Sequence, residues 1–437
     1  MSDAPTDSPD AQAPVAGFVT HALRGFALAE MHARPFTPVP VPRRILHFAF
    51  MPEGEARTAD RQAVRAFCLA QGRPGPASGA KYHRAAFDGF DLRWEGHSEF
   101  TTYTFELASP GPANPFEPVA ASFLHLMQQV PQPGPLLVMV DLHVLPAIAE
   151  NAALAALAGD DVAMADVENG AAQIITQFQA DADGFVRMAI IDHGLAPMQT
   201  GALVQRVLEI ETYRMLALLG LPQAQALAPA IRRIELQLPG LMDEMRESRS
   251  IEANRDLLDR LTALAAELET DASASSFRFG ATRAYGELVP LRLEAMHERA
   301  IDGRISWTAF LARRLKPAIR TCATIESRQD ELSRKLARAA QLLRTRVDID
   351  LETQNGEVLR AMNDRARLQL RLQQTVEGLS VAAISYYIAS LAHHVFEGLH
   401  AGGWHIDPLI ATAATVPVVL GVVGTIVWRI RRGHSEG

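Results

Sequence analysis

The chain has 437 residues, of which 48% are hydrophobic and 21% charged, enough for two or three domains and a large core. Its formal net charge of -8 excludes general nucleic-acid binding, because the basic residues lie beside acids along helical stretches and read as solvated faces. The two cysteines, Cys68 and Cys322, are far apart, which argues against a structural disulfide or a cysteine metal site and fits a reducing compartment.

Residues 1–15 are acidic and Pro-rich, without a basic segment followed by an apolar one, and are expected to be a disordered tail rather than a signal peptide. A helix is expected from Ala16 to about His32, ended by HARPF (His32 to Phe36) and Pro38, Pro40 and Pro42. Ile45 to Phe50 reads as a strand, about Thr58 to Gln71 as a helix, and 72–79 as a Pro/Gly loop. Two alternating, aromatic-rich runs, Phe87 to Glu95 and Glu99 to Leu107, are separated by Gly96, His97 and Ser98 and predict a hairpin. A helix over Pro118 to Gln129 is expected to lead to LLVMVDLHV, whose apolar run suits a strand buried on both faces. Two more strands, Ala172 to Gln179 and Phe185 to Asp192, flank a turn at Asp181 to Gly184. Residues 16–195 therefore predict an α/β cytoplasmic domain with a mixed sheet, α+β in class.

Beyond Pro197 no strand is predicted. Gln199 to Leu219, Gln223 to Glu247 and Ile251 to Ala300 carry apolar residues at three- and four-residue spacing, which defines a helical domain over 197–303. After Gly303, with Ser306 as N-cap, one unbroken helix is predicted from Ser306 to Phe396. Its first part, 306–377, reads as a stalk with coiled-coil character. Leu332, Leu343 and Val376, like Leu336, Val347 and Val358, follow an eleven-residue repeat, interrupted by Gln354, Arg365 and Gln369.

The chemistry changes at Gly378. Residues 378–396 carry no formal charge and are long enough to cross a bilayer, as are 409–428 after the loop 397–408. Arg365, Arg367 and Arg371 precede the first span and Arg429, Arg431 and Arg432 follow the second, whereas the loop has no Lys or Arg. This asymmetry predicts a two-helix transmembrane hairpin with both termini and the basic tail 429–437 cytoplasmic.

HARPF, RWEGHSEFTTYTF (Arg93 to Phe105), RVLEIETYRMLAL (Arg206 to Leu218), LLRTRVDIDLETQN and LQLRLQQTVEGLSVAAISYY (between Leu342 and Tyr387) together resemble an uncharacterised bacterial family, domain of unknown function 3422. The resemblance implies a membrane-anchored protein and brings no activity. The order of parts, an α/β domain, helices, a long helix entering the first of two spans, a short acidic loop and a basic tail, is also similar to the CorA divalent-cation transporters. That likeness implies a pentameric layout with the first span lining a pore. The family's Gly-Met-Asn motif is absent, since Ala389 to Gly398 reads ASLAHHVFEG, so only the layout carries over.

Within the first span, Ser380, Tyr387 and His394 share a face with Ile384 and Leu391 between them. In a homo-oligomer this face would line a pore, and otherwise it serves helix packing or interfacial anchoring. At its outer end His393, His394, Glu397 and Asp407 suit a borderline divalent metal, the one ligand left open; ordinary interface residues are the alternative. On the stalk Asp348, Asp350 and Glu352 resemble an ion sensor, or pair with Arg344 and Arg346. His97 and Glu99 read as a metal pair or as parts of a turn. Ala413, Pro417 and Gly421 make a small-residue face on the second span. The loop glycines Gly75 and Gly79 match no phosphate-binding or dinucleotide motif, and no nucleophile, acid or base arrangement follows from spacing, so an enzyme is not expected. The partners implied are a lipid bilayer and further copies of the chain, with no nucleic acid.

Overall fold

The computed structural model describes residues 21, 23–31, 35–111, 113–120, 123, 127, 129–157, 162–405 and 407–434. The expected tail, His32 to Arg34 of HARPF and most of the helix expected over 118–129 lie outside them. The chain divides into two compact units, 1–240 with 262–337 and 241–261 with 338–437.

The first unit is built on a mixed sheet. Among the described residues its strands are β1 (Arg43–Phe50), β2 (Tyr82–Phe87), β3 (Phe90–Gly96), β4 (Thr101–Ala108), β5 (Leu136–Pro146), β6 (Ala163–Val167), β7 (Ala172–Ala180), β8 (Val186–Asp192) and β9 (Arg299–Ala300). Their order is β2-β3-β4-β1-β5-β8-β7-β6-β9, antiparallel throughout except for β5 beside β8. The predicted hairpin is β3–β4, with Trp94 opposite Tyr103. Three strands escaped the sequence reading. β2 follows the Pro/Gly loop, β6 is five residues long, and β9 is a two-residue return between long helices, paired with β6.

Short helices accompany these strands: α1 (Arg24–Met31), α2 (Ala56–Ala70) and α3 (Glu150–Ala156). Side chains alternate across a strand, so one sequence feeds two faces. Leu46, Phe48 and Phe50 of β1 join Leu92, Trp94, Tyr103 and Phe105 in an aromatic core with Val64 and Phe67 of α2. Ile45 and Ala49 point the other way, into a second core with Val140, Leu142 and Ile190. That core is closed by helices that follow the sheet in sequence: α4 (Pro197–Leu218), the end of α6 (Ile251–Glu294) and the start of α7 (Trp307–Ala401). Pro197 is therefore not a boundary of packing, and the expected separation of 16–195 from 197–303 gives way to one core spanning both. Gly201 of α4 marks how close the layers are, since a Cβ there would fall 1.8 Å from the Thr37 carbonyl oxygen.

The start of α7 is fixed firmly. The Glu298 carboxylate accepts the Trp307 amide at 2.6 Å, Ser306 Oγ accepts the Ala309 amide at 3.2 Å, and the fully buried Trp307 donates its indole N–H to the Ala163 carbonyl at 3.3 Å. Ser306 is thus the cap that its position predicted. Farther along this unit, Arg328 binds Glu235 of α5 (Gly220–Glu247) at 2.8 Å, Arg283 of α6 binds Glu326 at 3.1 Å, and Arg233 pairs with Glu267. The three helices are so linked in every pairing.

In the second unit the end of α5 and the start of α6 meet the middle of α7. Leu241, Leu257, Leu261, Leu343 and Val347 are buried there. Arg346 donates to the carbonyls of Met245 and Ser248 at 3.0 and 2.6 Å, placing a cation at the C-terminus of α5 where the helix dipole favours it. Beyond Leu351 the apolar side chains up to Val376 are uncovered, with Val358, Leu359, Met362, Leu368, Leu372 and Val376 all exposed. The last described helix is α8 (Pro408–His434).

Candidate functional site at the C-terminal helices

Two described helices, α7 through its C-terminal part and α8, are long and apolar enough to cross a membrane, and only 6% of each apolar window is buried in the protein. A core helix of a soluble domain would be mostly covered, so the uncharged stretches of these two are left facing outward. α7 ends at Ala401, where Gly402 and Gly403 follow and Gly403 takes a φ of +93° that side chains resist. α8 begins with Pro408 in the first turn, and Asp407 Oδ1 accepts the Leu409 amide at 2.9 Å, capping the helix.

Burial separates two faces on the end of α7. Ser385 is buried, and Val381, Ala389, His393, Phe396 and Leu399 are half-buried along one stripe. On α8 the matching stripe is Ala411, Thr412, Thr415, Val419, Val423 and Val427. His393 Nδ1 and Thr412 Oγ1, 2.9 Å apart, join the two helices near the turn. Ser380, Ile384, Tyr387, Leu391 and His394 are all exposed, on the opposite face of α7. The small residues Ala413, Pro417 and Gly421 are likewise exposed and do not belong to the covered stripe of α8.

Four hydroxyl groups along these helices are satisfied locally. Ser380, Thr412, Thr415 and Thr425 each donate to the carbonyl four residues earlier, at 2.8, 2.7, 2.8 and 2.5 Å. Ser385 Oγ differs, being buried without a hydrogen-bond partner. Sequence reading passed over Ser385, because its distinction lies in the helix face it occupies and not in any motif.

The other predicted site residues are placed as follows. Glu397 contacts both neighbouring imidazoles, His393 at 3.4 Å and His394 at 3.3 Å, while Asp407 is committed to its helix cap. Among the described residues no group of three His, Cys, Asp or Glu side chains has metal-binding spacing. His97 stacks on Phe100 with ring centroids 4.1 Å apart, and Glu99 pairs with Arg278 of α6, so the two diverge. Asp350 accepts from the buried Asn254 at 3.4 Å, and Asp348 and Glu352 are exposed. Arg346, expected to pair with these acids, is instead taken up by the carbonyls at the end of α5.

An N-terminal mixed-sheet domain, helices after it, and two membrane-length apolar helices at the end define the class of protein. The chain belongs to the family described as protein of unknown function (DUF3422), whose match extends over residues 19–434. No curated protein was found to match it.

Proposed function

We propose that the chain is an integral inner-membrane protein that crosses the bilayer as a hairpin of 378–396 and 409–428, assembles as a homo-oligomer with α7 innermost, and conducts divalent cations. The observation that carries this reading is the division of α7 into two faces. Its covered stripe through Ser385 and His393 meets α8, and the opposite face, Ser380, Ile384, Tyr387, Leu391 and His394, is free to line a central path. Ile384 and Leu391 would then be apolar constrictions between polar positions. The layout is similar to that of the CorA transporters. The arginines flanking both apolar stretches favour cytoplasmic ends.

The test has two parts. The detergent-purified particle should have the mass of a closed ring. Liposomes holding it should pass magnesium, cobalt or zinc, and the flux should change when Tyr387 and His394 are replaced by Ala. A monomeric particle, or flux absent in wild type, defeats the proposal.

A second reading, a membrane-anchored scaffold without transport, is favoured by two observations. Gly-Met-Asn is missing from Ala389 to Gly398, and an uncovered aliphatic series from Val358 to Val376 offers a docking helix. An oligomer that passes no ion would select it.

A further inference from the structure

The charged ends of the apolar hairpin carry arginine and no lysine: Arg365, Arg367 and Arg371 before 378–396, and Arg429, Arg431 and Arg432 after 409–428. Within 364–377 and 429–434 the acids are Asp364 and Glu377, so cations outnumber anions, and Glu377 accepts a hydrogen bond from Gln373 Nε2 at 3.3 Å. Arg365, Arg367, Arg371 and Arg429 are exposed, and among the described residues no ion pair engages their guanidinium groups.

The meeting of α7 and α8 brings these two ends to neighbouring levels. His393 Nδ1 and Thr412 Oγ1 lie 2.9 Å apart. Counting equally from that contact, back along α7 and on along α8, sets Arg429 level with Val376, and Arg371 about 7.5 Å farther along the axis. With both apolar stretches in hydrocarbon, Arg429 falls at its edge beside Trp428, an aromatic suited to that depth, and Arg371 about 10 Å beyond Gly378. The headgroup layer is roughly 5–8 Å deep on each side, and the field of a charge persists for about another 8 Å in physiological salt. Arg429 is therefore in reach of headgroup phosphates, and Arg371 is in reach of their field. Cations gathered at one level repel one another, and anionic headgroups relieve that repulsion. A guanidinium fork suits two phosphate oxygens at once.

We infer that the charged end of the hairpin recruits anionic phospholipid, with a phosphodiester headgroup on Arg429 and Arg371 of α7 adding to the attraction. The inference rests on the hairpin proposed above and is indifferent to transport.

Trp428 is the built-in reporter. It is exposed, whereas Trp94 and Trp307 are buried in the first unit, so the full chain with Trp404→Phe keeps one tryptophan at the membrane. That chain is reconstituted into vesicles of equal parts phosphatidylcholine and phosphatidylglycerol, with the acyl chains of one lipid or the other brominated. Brominated phosphatidylglycerol should quench Trp428 more deeply, corresponding to an enrichment of about five-fold over phosphatidylcholine. In Arg371→Gln/Arg429→Gln the two lipids should quench alike. Both arginines are exposed, so the variant should keep the wild-type unfolding midpoint. Equal quenching by the two lipids in the chain with both arginines, or a preference that survives in the double variant, overturns the inference while leaving the hairpin standing. Quenching by neither lipid puts Trp428 outside a bilayer and defeats the hairpin and the inference together.

Discussion

Arg44 and Asp141 show what a single buried pair does in the sheet. The guanidinium gives Asp141 two hydrogen bonds, 3.0 and 2.7 Å, and a third at 2.8 Å to the Glu117 carbonyl, with both side chains nearly covered. Removing one partner strands the other charge, so Arg44→Met should cost about 3–5 kcal/mol in denaturant unfolding. His47, on the neighbouring face, is bracketed by Thr104 at 2.8 Å and Thr212 at 3.2 Å. Burial foremost, then the charges of Arg93 and His97, pushes its pKa from 6.5 down to about 3. The folded imidazole stays neutral while the unfolded one gains a proton below its ordinary pKa, so the unfolded state binds more protons and stability falls as pH drops through this window. At about pH 5 the His47 share should be about 2 kcal/mol, and His47→Gln should lessen the loss between about pH 7.5 and about pH 5 by that amount. Both cysteines are buried free thiols whose pKa burial raises, so a maleimide should label neither before the protein unfolds.

Among the elements, α7 uses one apolar pattern for two purposes. The eleven-residue repeat was legible, but its positions do not share one environment: Leu332, Leu336, Leu343 and Val347 are buried, whereas Val358 and Val376 are exposed. Spacing specifies a face and says nothing of what covers it. Leu336→Ala and Leu343→Ala, at fully covered sites, should each lower unfolding free energy by about 2–5 kcal/mol. Leu359→Gln and Leu368→Gln, at exposed sites, should leave the unfolding of an isolated chain nearly unchanged and instead lower the mass of the detergent particle, if copies meet along this stretch. Of the small elements, β9 was illegible because two residues carry no periodicity. Its place follows from β6, to which Arg299 and Ala300 are paired.

For the molecule as a whole, the two uncovered apolar stretches decide how it is handled in solution. On the membrane reading proposed above, deleting residues 378–437 should move the chain from the membrane pellet to the soluble fraction after ultracentrifugation, since 378–396 and 409–428 are uncharged stretches long enough to span a bilayer. By itself the sequence determined the helices longer than twenty residues, the β3–β4 hairpin, the central strand β5, the cap at Ser306 and the break in chemistry at Gly378. These are local patterns of periodicity, capping and charge, complete within a few turns of chain. Only the tertiary structure decided that α4, α6 and α7 close the sheet's second core, that Glu99 answers Arg278, and that Arg346 serves the end of α5. Each of those joins residues far apart along the chain, and such meetings are set by which faces must be buried together, a condition that no local stretch contains.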